Sequence, residues 1–594
     1  MDRVLHRLVA GLMLAAPGCG DSDGGFGDAG LGEDPPSNAG DGDGDGGTGG
    51  APSDDDGGDD GVPEPEMEEE ADFRVPRASG RWVYSASEMT NSVAVIDSDT
   101  LAIDVVGVGR GPTVVAPLGS QGRVAVLDQG GDDVAMLRTT NLGTTVDIIP
   151  TSPGANNLAV SPDGEFVFVY HDVDGPEALG AGSDQELTVI EGETHVAYEM
   201  TVGAHPRDIV FSSDASTAFV ITDDGVNIVP MDGLAMVGKP DLIPVVSDPA
   251  IDPVTLEIQV AADERVALAR RDGQDLLFAT DLTTGEQFTI ELGGIATDLD
   301  IAADGTFAIA TLPSQQGSRF VEIALPLGGS PTVSTYDVGD EYVGLAHLAP
   351  DGDTIILYTT VNPFAADQVP PPSVLGGGSP LGGPIGTGSS GSTDSTSDGG
   401  ESDSSSEGDG GSTSETGAGT TGGMPPEPKD DPRLRVTLAR RDGGWNDQVT
   451  FFVDRPVASV GVAPDGENAM LLHGFDDSGA AAPWSYTLLD LTKAFPVKKL
   501  QTVGAEPGPV LFTPDGAQAV VLLEGSTRVD LVDLRTFIVD GLALGSPPDG
   551  AGFVDETQKV FVSQEHATGR ITFIDPDGQV QTVTGFRLND AVKD

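Results

Sequence analysis

One phrase recurs along this 594-residue chain and narrows what it can fold into. It reads NNLAVSPDGEFVFVY from Asn156, PRDIVFSSDASTAFVI from Pro206 and ATDLDIAADGTFAIA from Ala296. It returns as VGLAHLAPDGDTIILY from Val343, VASVGVAPDGENAMLL from Val457 and PGPVLFTPDGAQAVVL from Pro507. Each copy is an apolar run, a tight turn and a second apolar run. In the turn, Pro presets φ, Asp bonds its own backbone, and Gly accepts the positive φ that other residues resist. Such a turn joins two strands of a hairpin. A third and often a fourth run follow, as in ELTVIE and VAYEMTV after the first copy. No segment carries a convincing helical period.

Successive copies lie mostly about 40 to 55 residues apart. That period, with four strands to a unit, predicts an all-β fold: a β-propeller of four-stranded blade repeats. Each unit is a small sheet that cannot cover both of its faces. Face-to-face packing around an axis covers them, and closure protects the edges. Nine or ten units can be counted, against the usual four to eight of a single propeller. One large ring and two rings are both open. Residues 80–106 lack an innermost strand of their own, so the C-terminal QVQTVTGFRLND is expected to supply it and clasp the ring shut. A Gly/Ser/Asp-rich stretch, 367–432, falls between TIILYTT and LRVTLARRD and so reads as an insertion within one unit.

The stretch WVYSASEMTNSVAVIDSDTLAIDVVGVGRGP, residues 82–112, resembles the YVTN-type propeller repeat. The shared features are the strand Trp82–Ala86, then Asn91, a strand ending in Asp97, and the Val-Gly-x-x-Pro junction from Val108 to Pro112. VGAHPRDIVFSSD and VGAEPGPVLFTPD repeat that junction. The resemblance covers most of residues 80–585 and is weakest from about 230 to 340. Members of that family include lactonases, holders of quinone or haem groups, and surface binding proteins. A lactonase-like site would need His, Glu and Arg at the ring mouth, which the inter-unit junctions face in that family. The junctions here carry Arg110, His205, Arg455 and Glu506, and His347 sits in an expected inner strand. These five residues are the candidate ligand-binding set.

The chain has a single cysteine, Cys19. Before it come Arg3 and Arg7, then the uncharged run Leu8–Ala16, then small residues. This is the plan of an export signal. The apolar run covers roughly 14 Å of helix, about half a bilayer core, so it does not span one. Ala16-Pro17-Gly18-Cys19 resembles the lipidation box of bacterial lipoproteins, departing from it at Ala16 and Pro17. The resemblance implies a lipid on Cys19, and Gly20 implies an outer-membrane or cell-surface location. The expected organisation is a signal peptide (1–18), the lipidated Cys19 with an acidic linker (19–77), a first propeller part (78–366), the insert (367–432) and a second propeller part (433–588).

Charge narrows the partners. The formal net charge is −67. Residues 20–72 hold 19 acids and no Lys or Arg, and the insert carries a net −10. Neither stretch has the apolar residues to build a core. Nucleic acid is excluded, because it requires a basic footprint. The membrane is expected to be engaged only through the lipid anchor. DGDGDGG at Asp41–Gly47 mimics the start of an EF-hand loop, but Pro52 stands where the bidentate Glu belongs. The histidines (His6, His171, His195, His205, His347, His473 and His566) are scattered, and no CxxCH occurs. No metal site, cofactor or catalytic residue is assigned. The expectation is a surface-anchored lipoprotein whose propeller binds or displays a protein, peptide or small molecule. A lactonase-like hydrolase on the same fold is the alternative.

Overall fold

The computed structural model describes residues 76–586 except 120, 174–183, 249–250, 252–254, 365–430, 443 and 475–483. Ten four-stranded antiparallel sheets follow one another along the chain and form the blades of a single propeller ring. Blades 1 to 10 span residues 77–107, 112–150, 157–201, 208–243, 256–291, 298–337, 345–452, 457–502, 507–543 and 548–584. Every blade runs from an inner strand outward in chain order. The insert enters between the second and third strands of blade 7, where Thr354–Tyr358 pairs with Arg435–Arg440. The expected count thus resolves to one ring of ten.

Apolar side chains gather into ten clusters, each shared by two neighbouring blades. Tyr84 and Val95 of blade 1 meet Val124 and Val126 of blade 2, for example. The two middle strands of a blade are therefore apolar on both faces, as in Arg123–Asp128, while the outer strand Gly143–Pro150 alternates toward solvent. At the blade 6–7 interface, Trp445 is fully buried, 5.9 Å from Phe307 and 6.3 Å from Phe320 between ring centroids.

The hairpin turns behave as their chemistry predicts. Asp163, Asp214, Asp304, Asp351, Asp465 and Asp515 each accept a hydrogen bond at Oδ1 from the amide two residues on. The residue between adopts positive φ every time, with Ala215 (φ 55°) the one non-glycine among the six. The repeat's other fixed residues also have jobs. Asn91 (φ 50°) accepts from Gly111 N at 2.9 Å, tying the loop between the second and third strands to the next junction. Asp97 accepts from the amides of Asp99 and Thr100, closing the outer hairpin.

Ring closure differs from the sequence expectation. Arg77–Ser79 pairs with Trp82–Tyr84 and gives blade 1 its own inner strand. The C-terminal Val580–Thr584 is the outer strand of blade 10. No strand is shared. Blade 10 meets blade 1 through an apolar cluster that includes Val83, Ile96, Phe561, Phe573 and Phe586. Lys559 Nζ donates to Ser98 O at 2.8 Å, and Ser98 Oγ and Thr557 Oγ1 lie 2.9 Å apart. RAS escaped notice because three residues without an aliphatic pair carry no strand pattern.

A pair of substitutions separates the two demands on a turn glycine. Gly164 and Gly305 both have φ near 70°. A Cβ on Gly305 would meet nothing closer than 3.7 Å, whereas one on Gly164 would lie 2.7 Å from Gly119 N and Leu118 C. Gly305→Ala should cost about 1–2 kcal/mol for the left-handed backbone alone. Gly164→Ala should cost clearly more, read as a larger fall in urea midpoint.

Candidate functional site

The junctions between blades and the loops joining second to third strands share one face of the ring. Residues that begin an inner strand or end a second strand lie at that face. Four of the five expected residues sit there. Arg110 is exposed at the blade 1–2 junction, Arg455 half-buried at the 7–8 junction and Glu506 exposed at the 8–9 junction. His205 occupies the 3–4 junction with φ 50°. His347 is in the inner strand of blade 7, opposite Ile356. They are spread over the ring and do not form one cluster. Burial pushes the His347 imidazole down to about 4, so it is neutral at pH 7.

His205 alone of the five belongs to a polar constellation around a cavity. Its Nδ1 lies 2.7 Å from Asp223 Oδ2, and Asp223 also pairs with Arg207 at 2.6 Å. A cavity of about 200 Å³ lies beside them between blades 4 and 5, lined by Arg207, Asp208, Ile221, Asp223, Leu256 and Glu257 among others. Asp208 opens the inner strand Asp208–Phe211, and burial pushes its carboxyl up to about 6, with Asp172 adding to the rise. Burial likewise raises Glu257, partly offset by the adjacent guanidinium of Arg270.

The row continues into blade 6. Arg270, almost fully buried, pairs with Glu257, lies 3.0 Å from Asp272 and donates to Ala296 O at 3.2 Å. Asp298 accepts from Ala346 N at 2.6 Å, and burial pushes its carboxyl up to about 7. Asp208, Glu257 and Asp298 thus stand at matching places on three successive inner strands. Sequence reading missed them, although the signal was present in RDIVF, LEIQV and TDLDI, where an acid interrupts an apolar run at one phase of the repeat.

A second acidic pair lies beside Arg110. Asp128 is fully buried, and its Oδ2 accepts from Gly109 N at 2.9 Å. Burial and the neighbouring Asp133 push Asp128 up to about 7, so the pair holds a proton near neutrality. A Cβ on Gly109 would fall 2.0 Å from Asp133 Oδ1, which explains the glycine of the Val-Gly-x-x-Pro junction here. At the 3–4 junction, Gly203 N donates to Asn227 Oδ1 at 2.8 Å in the same manner. Next to Arg455, His473 is buried with Nε2 2.8 Å from Thr487 Oγ1, and desolvation pushes it down to about 4. Among the described residues, no group of three or more His, Cys, Asp or Glu is arranged to hold a metal ion. Cys19 and Asp41–Gly47 lie outside the described residues.

No family model matches the chain. No curated protein matches it either. Solved structures similar to it include dihydro-heme d1 dehydrogenase NirN, at 11% identity and TM-score 0.40 over 81% of this chain and 78% of that one. Apo AztD from Citrobacter koseri matches at 10% identity and TM-score 0.36, over 70% of this chain and 93% of that one. A putative 6-phosphogluconolactonase from Bacteroides uniformis matches at 13% identity and TM-score 0.30, over 72% and 93%. Likenesses this distant carry no argument about activity.

The raised carboxyls set a stability profile. Each of Asp128 and Asp298 has a folded value near 7 against about 4 unfolded. Their contribution is full below pH 4 and is lost as pH rises through 7. His347 and His473 have lowered folded values, so their contribution is present above about 6.5 and is lost as pH falls toward 4. The urea midpoint should therefore fall between pH 6.5 and 8.5. Asp128→Asn should flatten that fall, and an unchanged slope would show that the pair is already ionised at pH 6.5.

Proposed function

We propose that the protein is a lipid-anchored binding module of the cell envelope, exported by residues 1–18, acylated at Cys19 and taking its ligand in the cavity between blades 4 and 5. The observation that carries the binding part is this cavity, lined by Arg207, Asp208, Asp223 and Glu257, with His205 held on Asp223 beside it. The anchor rests on the sequence before Cys19. The acid-rich stretch 20–72 then serves as the tether between the anchor and the ring, and the ring's surface faces outward from the membrane.

The test of the anchor is intact mass and detergent partition after expression in a Gram-negative host, comparing the full chain with Cys19→Ala. Cleavage before Cys19, added acyl mass and partition into detergent are expected of the first and not of the second. Identical mass and partition would remove the anchor and leave a protein without membrane attachment through this residue.

A lactonase-like hydrolase is the second reading, and one contact favours it. Asp223 engages His205 Nδ1, which orients the imidazole and leaves Nε2 to act as a base toward a water or ester carbonyl. In that case His205→Ala should lower lactone hydrolysis at least 100-fold, the scale of a general base. Turnover that is absent in the native chain, or equal in the variant, disposes of it.

A further inference from the structure

Four consecutive blades treat the same position differently. The last or next-to-last residue of the second strand faces the neighbouring blade, opposite the first or second residue of its own inner strand. Asn157 pairs with Tyr170, Asp208 with Ile221, Glu257 with Arg270 and Asp298 with Thr311. Tyr170 reaches toward Asp208 of blade 4, and its phenol is raised by burial first and by that carboxylate in addition. Arg270 reaches Ala296 O in the junction leading into blade 6 and favours the ionised form of Asp298. Thr311 Oγ1 donates to Gly344 O, just before the inner strand of blade 7, at 2.7 Å. Of these four blades, blade 4 alone offers a hydrocarbon there, Ile221, and the gap that Ile221 faces is the 200 Å³ cavity.

We infer that this cavity takes the guanidinium or primary ammonium group of a ligand, seated between Asp208 and Glu257 as Arg270 is seated between Glu257 and blade 6. This rests on the cavity being the ligand site. Three arguments support it. Arg270 shows that the gap between two such strands accommodates a guanidinium among these carboxylates and a main-chain carbonyl. The cavity's charged lining is Arg207, Asp208, Asp223 and Glu257; Arg207 is already paired with Asp223 and Glu257 with Arg270, which leaves Asp208 as the lining acid with no cation beside it among the described residues. The volume is below the 300–1,000 Å³ typical of a site for a whole small molecule, so it suits a head group with the rest of the ligand projecting into the mouth. The groups around the seat are Asp172, Arg207, Asp208 and Asp223 on one side and Glu257, Arg270 and Asp272 on the other. Burial raises the carboxyls of both Asp208 and Glu257, as befits acids taken out of water, and Arg270 offsets part of that rise at Glu257 alone.

The test is calorimetric titration of the full chain at pH 6.5 and 150 mM salt with agmatine and spermidine as cationic probes and citrate as an anionic one. Wild type is compared with Ile221→Arg, which installs the chain's own cation, with Ile221→Leu, and with Asp208→Asn. The acid-rich stretches are common to all four proteins, so only differences between them count. Saturable cation binding is expected in wild type and Ile221→Leu, at least tenfold weaker in Asp208→Asn and absent in Ile221→Arg. Cation binding that is equal in all four proteins overturns the proposal. Citrate binding that Ile221→Arg or Asp208→Asn alters, without cation binding, overturns it while keeping the cavity as the ligand site. Loss of every probe's binding in wild type overturns both. Asp208→Asn carries the test if Ile221→Arg fails to fold.

Discussion

Everything in this molecule depends on apolar contact between neighbouring blades. No blade has a core of its own. The buried residues divide into clusters that each straddle an interface, and the ring is complete only when the tenth of these forms between blades 10 and 1. A four-stranded sheet with two apolar faces cannot stand in water. Two neighbours satisfy each face, and a closed ring leaves no face over. Closure without a shared strand follows from this. The last interface is of the same kind as the other nine, and a few polar contacts such as Lys559 to Ser98 seat it.

The same arrangement explains where polarity can be tolerated. The outer strands alternate toward solvent, and the turns satisfy themselves with their own aspartates. At the junction face the chain passes from an outer strand to the next inner one, and amides there lack a sheet partner. Asn91, Asp128 and Asn227 supply acceptors to Gly111, Gly109 and Gly203. A buried carboxylate in this role is expensive unless it is paired or protonated. Asp128 is partly relieved by one amide and by the proton it shares with Asp133. Asp208 and Asp298 stand instead on inner strands, where Asp208 lines the cavity between blades 4 and 5 and Asp298 accepts from Ala346 N.

The fold was legible because the repeat is written in turn chemistry. Pro-Asp-Gly flanked by apolar runs leaves few alternatives, and the period implied four strands per unit. Closure was not legible, because Arg77–Ser79 is too short to show a pattern and its pairing partner follows at once across Gly80 (φ 62°). The site was legible only at His205. Reading junctions for His, Glu and Arg found side chains spread from the blade 1–2 junction to the blade 8–9 junction, which no single site brings together. The acids that matter were hidden inside the repeated phrase itself, where Asp208, Glu257 and Asp298 look like interruptions of a strand until register puts them at one level of three successive blades. Pairing partners carry the rest of that information. Only the register shows that Arg270, Thr311, Tyr170 and Ile221 are counterparts.

Departure from the repeat is thus more informative than the repeat. A ring of near-equivalent blades can fill every gap alike, and the neighbouring gaps show how: a phenol, a guanidinium, a threonine hydroxyl. Ile221 satisfies packing on its own side, being buried in the blade 4–5 cluster, yet brings no polar group to Asp208 at the inner end of that interface. Packing alone would favour closing the space, since a cavity costs dispersion contacts along its whole lining. A space beside the carboxyl of Asp208, with His205 oriented on Asp223 nearby, is what the proposed cationic head group would fill.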